Sequence, residues 1–209
     1  MNCCILTEGS AKNSMKNQNN SFFAVFFRQK YINRWGLMRN VTNENLSTHA
    51  AEVSCIAHAL AVIGNTYFGK NYNCERVALL ALYHDMPEVF TGDLPTPVKY
   101  ANEALRKCYG QLEDQAIEQL LQRLPDEMKN EYRSLVNIPS DEKECKKFIK
   151  CADKLCALIK CIEEEKSGNS DFSSARLSTE ASLNNMDCEE LKYFMDNFLP
   201  AFSGTLDEL

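Results

Sequence analysis

The feature that most restricts this chain is helical periodicity without strand patterning. Ala50, Val53, Ala57, Leu60 and Ala61 recur on one face of a helix expected from about Thr48 to Ile63, with Asn45 or Ser47 as its N-cap. Asn73 is placed to cap a helix from Cys74 to about Met86, apolar on nearly all sides and therefore central. Thr96-Pro97 reads as a helix start, followed by one stripe of Val98, Ala101, Leu105, Cys108, Leu112, Ala116 and Leu120 as far as Leu124. A shorter piece, Asp126 to Val136, precedes a long helix capped by Ser140 or Asp141 and ending near Gly168, with Cys145, Phe148, Ile149, Ala152, Cys156 and Ile159 inward. Helices around Ala175–Leu183 and Asp187–Phe198 close the chain, the second with a capping-box pattern, Asp187 to Glu190. At 209 residues the chain can bury one substantial core or two small ones. The expected architecture is an all-α, single-domain helical bundle.

Ahead of these elements, Phe22 to Tyr31 reads as a first helix, aromatic on much of its circumference and so expected to be buried. Residues 1–20, rich in Asn, Ser and Lys, are expected to be a disordered N-terminal extension, with Met15 as an alternative start. The folded domain is expected to occupy residues 21–209. A net charge of −6 argues against polymeric nucleic acid or anionic membrane as partner, while leaving a small phosphate ester within reach of local Arg or Lys. The strongly apolar run Phe22–Phe27 is too short to span a bilayer, and the polar start lacks a signal-peptide layout, so a cytoplasmic protein is expected. Ten cysteines without a Cys-x-x-Cys pair fit reduced thiols packed as small hydrophobes better than a disulfide framework.

The chemistry concentrates between His84 and Lys99, where His84-Asp85, Glu88 and Thr91-Gly92-Asp93 stand among Pro87, Pro95 and Pro97. An imidazole beside a carboxylate suits a borderline-to-hard divalent cation. If the helix persisted, Glu88 would share a face with His84. Pro87 should end the helix there, leaving His, Asp and Glu in a buried last turn, where each unpartnered polar group costs about 1–3 kcal/mol. A bound cation or a neutral hydrogen-bonded cluster would satisfy them. His49 shares an inward face with Val53 and Ile56, whereas His58 is half a turn out of phase and reads as structural. Asp153 is an acid on the otherwise apolar face of the long helix. Taken alone, Trp35 beside Arg34 reads as a core plug with a surface cation.

The order His49, His84-Asp85, Asp153 resembles the HD-domain superfamily of metal-dependent phosphohydrolases. Further segments are similar to its bacterial 5′-deoxynucleotidase branch: Ile32-Asn33-Arg34-Trp35, Arg39-Asn40-Val41, Glu44-Asn45, Glu88, Ala152-Asp153 and the run Thr91 to Lys99. The resemblance covers about residues 22 to 208. It implies hydrolysis of deoxyribonucleoside 5′-monophosphates with one divalent cation such as cobalt, manganese or copper, held by His49, His84, Asp85 and Asp153. It also implies nucleotide contacts from Arg34 and Trp35, a substrate wall that includes Asp85, Asp93, Leu94, Pro95 and Thr96, and a homodimer. In that setting Arg34 stabilises phosphoryl charge and Trp35 excludes a ribose 2′-hydroxyl. Glu88 and Asp93 divide water orientation and leaving-group protonation between them, in an order the residues leave open. Neighbouring readings are an HD-type hydrolase of a triphosphate, cyclic dinucleotide or guanosine tetraphosphate, or a non-catalytic nucleotide-binding module.

Overall fold

Asn45 begins the element on which the others pack: its Oδ1 accepts the Thr48 amide at 3.1 Å and starts a helix over Leu46–Tyr67. In a computed structural model, which describes residues 20–208 other than Tyr100 and omits the side chains of Thr96 and Pro97, helices dominate. They are α1 (Phe22–Phe26), α2 (Leu46–Tyr67), α3 (Cys74–Tyr83), α4 (Glu88–Thr91), α5 (Thr96–Lys99), α6 (Glu103–Leu121), α7 (Asp126–Val136), α8 (Lys143–Lys166), α9 (Ser173–Asn184) and α10 (Glu189–Asn197). Among the described residues the only extended pairing is one antiparallel bridge, Asn33 with Asn45. The expectation of a disordered extension at residues 1–20 falls almost wholly outside the described residues.

Helix α2 lies between α3, α8 and α10. Its small residues Ala57 and Ala61 let the backbones approach, while Val53 and Leu60 interlock with Val77 and Leu80 of α3 and Phe148, Ala152 and Leu155 of α8. Among the described residues α2 is the one helix long and apolar enough to cross a membrane, by length and composition. Here its apolar face is the centre of the larger core. A second core gathers Phe22, Val25, Met86, Leu120, Leu121, Leu124 and Val136. The chain passes from the first core to the second through the turn at His84-Asp85, so the turn is anchored on both sides.

Several expectations change. The first helix tightens into a 3₁₀ turn over Phe27–Tyr31; Phe22 and Val25 are buried and Phe26 packs partly against the same core, whereas Phe27 and Tyr31 are exposed. Helix α3 buries Val77, Leu80 and Ala81 but leaves Leu79 in solvent, so it has one apolar face. The single helix from Thr96 to Leu124 is two, because Asn102 takes an extended backbone and its Oδ1 accepts the Leu105 amide at 2.8 Å, starting α6 afresh. Val98 and Leu112 are consequently exposed. Neither Ser140 nor Asp141 caps α8; its N-cap is Glu142, whose carboxylate instead pairs with Arg76 at 2.8 Å and ties α8 to α3. The capping box at Asp187 does not form, since Cys188 is the N-cap and Glu190 is taken by the Tyr72 hydroxyl at 3.2 Å. His58 is exposed on the outer face of α2 and has no structural role in the core.

Candidate functional site

Helices α2, α4 and α8, the turn after α3 and the segments around Arg34 and Asp93 supply the site. His49 sits in the first turn of α2, where the Asn45 cap fixes its height, and it is wholly buried. His84 and Asp85 follow α3 in a turn closed by His84 N–H to Ala81 O at 3.3 Å and Met86 N–H to Tyr83 O at 3.1 Å. Met86, fully buried in the second core, holds that turn from below. Helix α3 already ends at Tyr83, short of the expected Met86, with His84 to Pro87 in turns, and Glu88 starts α4 instead of extending the face of His84. Gly92, at φ +74°, turns the chain after α4 and brings Asp93 back toward the site. Asp153 lies mid-way along α8.

These groups converge. His49 Nε2 is 3.1 Å from Asp153 Oδ1 and 3.7 Å from Asp85 Oδ2, and His84 Nε2 is 3.1 Å from the same Asp85 oxygen. The two imidazole centres are 5.5 Å apart. Nδ1 of His84 donates to Ala81 O at 2.7 Å, which turns its buried Nε2 toward the Asp85 carboxylate and the cluster. His49, His84 and Asp85 present donor atoms all within 4.8 Å of one another.

The loop from Ile32 to Asn45 is pinned by its bridge, with Arg34 N–H donating to Glu44 O and Leu46 N–H to Ile32 O, both at 3.0 Å. It carries Arg34 over the cluster, Nη1 3.6 Å from Asp85 and Nη2 3.9 Å from Asp153. Glu44, part of the Glu44-Asn45 motif in the sequence, is central here. Its Oε1 is 3.0 Å from both Arg34 Nε and His49 Nδ1, neither of which meets it in line, and its Oε2 accepts the Trp35 indole N–H at 2.9 Å. An acid directly before the N-cap of a helix whose first turn holds a histidine was the available signal.

Electrostatics separate the carboxylates. Burial opposes ionisation of Asp85, but His84, His49 and Arg34 outweigh it and hold its pKa well below the usual range; Asp153 is also lowered, chiefly by His49 against its burial. Burial works against a charged His84, yet Asp85 overrules it and lifts the imidazole to about 9. Glu88 goes the other way. It is 8% exposed with Oε2 unpartnered, and burial together with the charges of Asp85 and Asp93 pushes its carboxyl up to about 9. The Asp93 pKa is raised by burial, with Arg34 opposing and Asp85 adding. Nearby, Tyr109 O–H donates to Gly92 O at 3.3 Å and buttresses the turn before Asp93.

A cavity of about 840 Å³ opens over the cluster, lined by Arg34, Trp35, Asp93, Pro95 and Asp153 and, across from them, by α9. Leu94 is half-buried and does not line it; the side chain of Thr96 lies outside the described residues. Asp153 is the member of the cluster that lines this cavity, and two imidazoles and two carboxylates brought together beside it are a donor set for a borderline divalent cation.

The fold is that of the HD-domain phosphohydrolases. The chain superposes on one from Listeria innocua with a TM-score of 0.74 at 24% identity, covering 87% of this chain and 88% of that one. It superposes on the cyanophage S-2L HD phosphohydrolase, solved with dA and one catalytic zinc ion, with a TM-score of 0.63 at 17% identity, over 87% and 96%. The model of the 5′-deoxynucleotidase YfbR-like family matches residues 21–202, and the chain belongs to that family. The 5′-deoxynucleotidase YfbR of Escherichia coli O127:H6 is 47% identical over 188 residues, 90% of this chain and 94% of its own.

Proposed function

We propose that this enzyme hydrolyses deoxyribonucleoside 5′-monophosphates to deoxynucleoside and inorganic phosphate, with one divalent cation held by His49, His84, Asp85 and Asp153. The observation that carries this reading is the convergence of two imidazoles and two carboxylates beneath Arg34, beside the cavity that Arg34, Trp35 and Asp153 line. Ligand atoms about 2.1 Å from one ion lie at most about 4.2 Å apart, and the imidazole–carboxylate separations of 3.1 and 3.7 Å fall within that limit. The donor set thus fits the ion, for which we propose cobalt, manganese or copper.

Such an ion supplies Lewis-acid charge and a water of lowered pKa. The chain's own residues do the rest. Arg34 neutralises phosphoryl oxygens with a planar fork that can hold two at once. Glu88, kept protonated near neutral pH, donates its proton to the departing 5′-oxygen, and Asp93 orients the attacking water. Trp35, packed on Phe172 with ring centres 5.3 Å apart, forms a stiff wall that leaves no room for a 2′-hydroxyl. We further propose a cytoplasmic homodimer. The free cysteines, among them buried Cys151, Cys156 and Cys161, support a reducing compartment, and exposed Phe27 and Tyr31 supply apolar surface for a second copy.

Phosphate release from dAMP and AMP, with and without chelator, tests the reading alongside elemental analysis of His84→Ala and Asp153→Ala. Expected are turnover of dAMP over AMP that chelation abolishes, and variants that lose both metal and activity. Retained turnover in either purified variant would sink the ligand assignment.

A further inference from the structure

We infer that Glu44 is a positioning residue that couples cation affinity to selection of the deoxyribose, although it faces neither ligand. The inference rests on the proposed reading of the metal centre and the sugar wall. Three groups with different tasks meet on this one carboxylate. His49 Nδ1 and Arg34 Nε share its Oε1 at 3.0 Å each, and Trp35 Nε1 donates to Oε2 at 2.9 Å. The side chain is only 10% exposed, so these contacts are poorly screened.

Each contact has a separate consequence. A carboxylate beside Nδ1 keeps the His49 proton on that nitrogen, so the lone pair of Nε2 faces Asp85 and Asp153. The same oxygen anchors the guanidinium by its Nε, which turns the Nη groups toward the cavity floor. The other oxygen holds the indole. Trp35 has a left-handed backbone, φ +59°, a conformation a bulky residue adopts only under constraint. Asn40 Nδ2 at 3.3 Å and the Met38 amide at 2.8 Å fasten its carbonyl, but among the described contacts only Glu44 accepts the N–H at the ring's polar edge. Main chain reinforces side chain, since Arg34 N–H also donates to Glu44 O at 3.0 Å.

The isosteric change Glu44→Gln isolates the effect. A carboxamide has one acceptor and one donor end, while three N–H donors face it. Whichever way it flips, its NH₂ end is turned on either the Trp35 indole N–H or the paired His49 Nδ1 and Arg34 Nε, and the charge facing those two is gone. Trp35 is the single tryptophan of the chain, so intrinsic emission reports on it alone.

The measurements are manganese titration, tryptophan emission with acrylamide quenching, and the ratio of kcat/KM for dAMP over AMP at saturating manganese. For Glu44→Gln with unchanged far-UV circular dichroism, we expect cation affinity to fall by about 10- to 100-fold. Emission should shift to the red, and the dAMP/AMP ratio should drop by roughly fivefold or more. Glu44→Asp, which keeps the charge, should recover part of each and covers the case of a poorly folded amide variant. A merely structural role would lower the melting temperature yet leave the substrate ratio at saturating metal intact, and that outcome overturns the inference. So does unchanged manganese affinity or unchanged emission. Wild-type protein that binds no manganese, or does not hydrolyse dAMP, would instead refute the underlying reading, and is seen before any variant is made.

Discussion

Glu88 shows how placement sets chemistry at the scale of one residue. Its neighbours Asp85 and Asp153 are held ionised by imidazoles and Arg34, whereas Glu88 has an unpartnered buried oxygen and faces two like charges. A carboxyl whose pKa rises from 4.5 to about 9 on folding binds an extra proton between those values. Stability is therefore greatest below about pH 4.5 for this group and declines as pH rises toward 9. Glu88→Gln should remove that decline. In metal-free protein its melting temperature should exceed wild type at pH 8, with the difference vanishing near pH 4.5. Its turnover should fall by about 10²–10⁴-fold, as expected for loss of a general acid. A variant that is no more stable than wild type at pH 8 would show that Glu88 is ionised there. Sequence alone placed Glu88 near the site but left its role and that of Asp93 open, because both are acids and only burial tells them apart.

Among elements, the loop between α1 and α2 depends most on distant residues. Beyond Trp35 it is fastened to α8 by Glu164, whose carboxylate accepts the Val41 and Thr42 amides at 2.9 and 3.1 Å and Asn169 Nδ2 at 2.7 Å, and pairs with Lys160. Burial alone would raise the Glu164 pKa, but Lys160, the amides and Asn169 bring it down to about 2. Its contribution is thus present at neutral pH and is lost as pH falls from about 4.5 toward 2. Glu164→Gln should destabilise the protein by roughly 2 kcal/mol at pH 7, since buried amides and an ammonium lose a charged acceptor. Thermal melts at pH 7 and pH 3 check this, and an equal deficit at both would contradict the ionic account. The Asn caps of α2 and α3 were readable because capping is local. The break before α6 was missed because the apolar stripe continues in sequence through Asn102, and only solvent at Val98 and Leu112 shows that it is not one face.

For the molecule as a whole, cation binding and folding are linked. The proposed ligands come from α2, α8 and the turn after α3, so an ion that binds only the folded form stabilises their packing. At 100 times the dissociation constant this amounts to about 2.7 kcal/mol, or roughly 5–10 °C in melting temperature for a chain of this size. Chelation should lower the melting temperature by that order. The ion must also displace the proton that Asp85 helps to keep on His84, so cation affinity should weaken as pH drops below about 9. Calorimetric titrations in buffers of different ionisation enthalpy would count the protons released, and a count of zero at pH 7 would contradict proton displacement from His84.

Helical period and end signals follow from interactions within a few residues, so the all-helical build, the inward faces of His49 and Asp153 and a helix stop shortly before Pro87, though not its end at Tyr83, were legible in the chain. Which of those inward groups meet is a different matter. His49 and Asp153 are 104 positions apart, and their contact is set by how α2 seats against α8, through small and large apolar side chains that many other registers could have matched. The three-way role of Glu44, the exposure of Phe27 and Tyr31 and the split charges of Glu88 and Asp85 belong to that packing. They arise from burial and from neighbours distant in sequence, which periodicity along one segment does not specify.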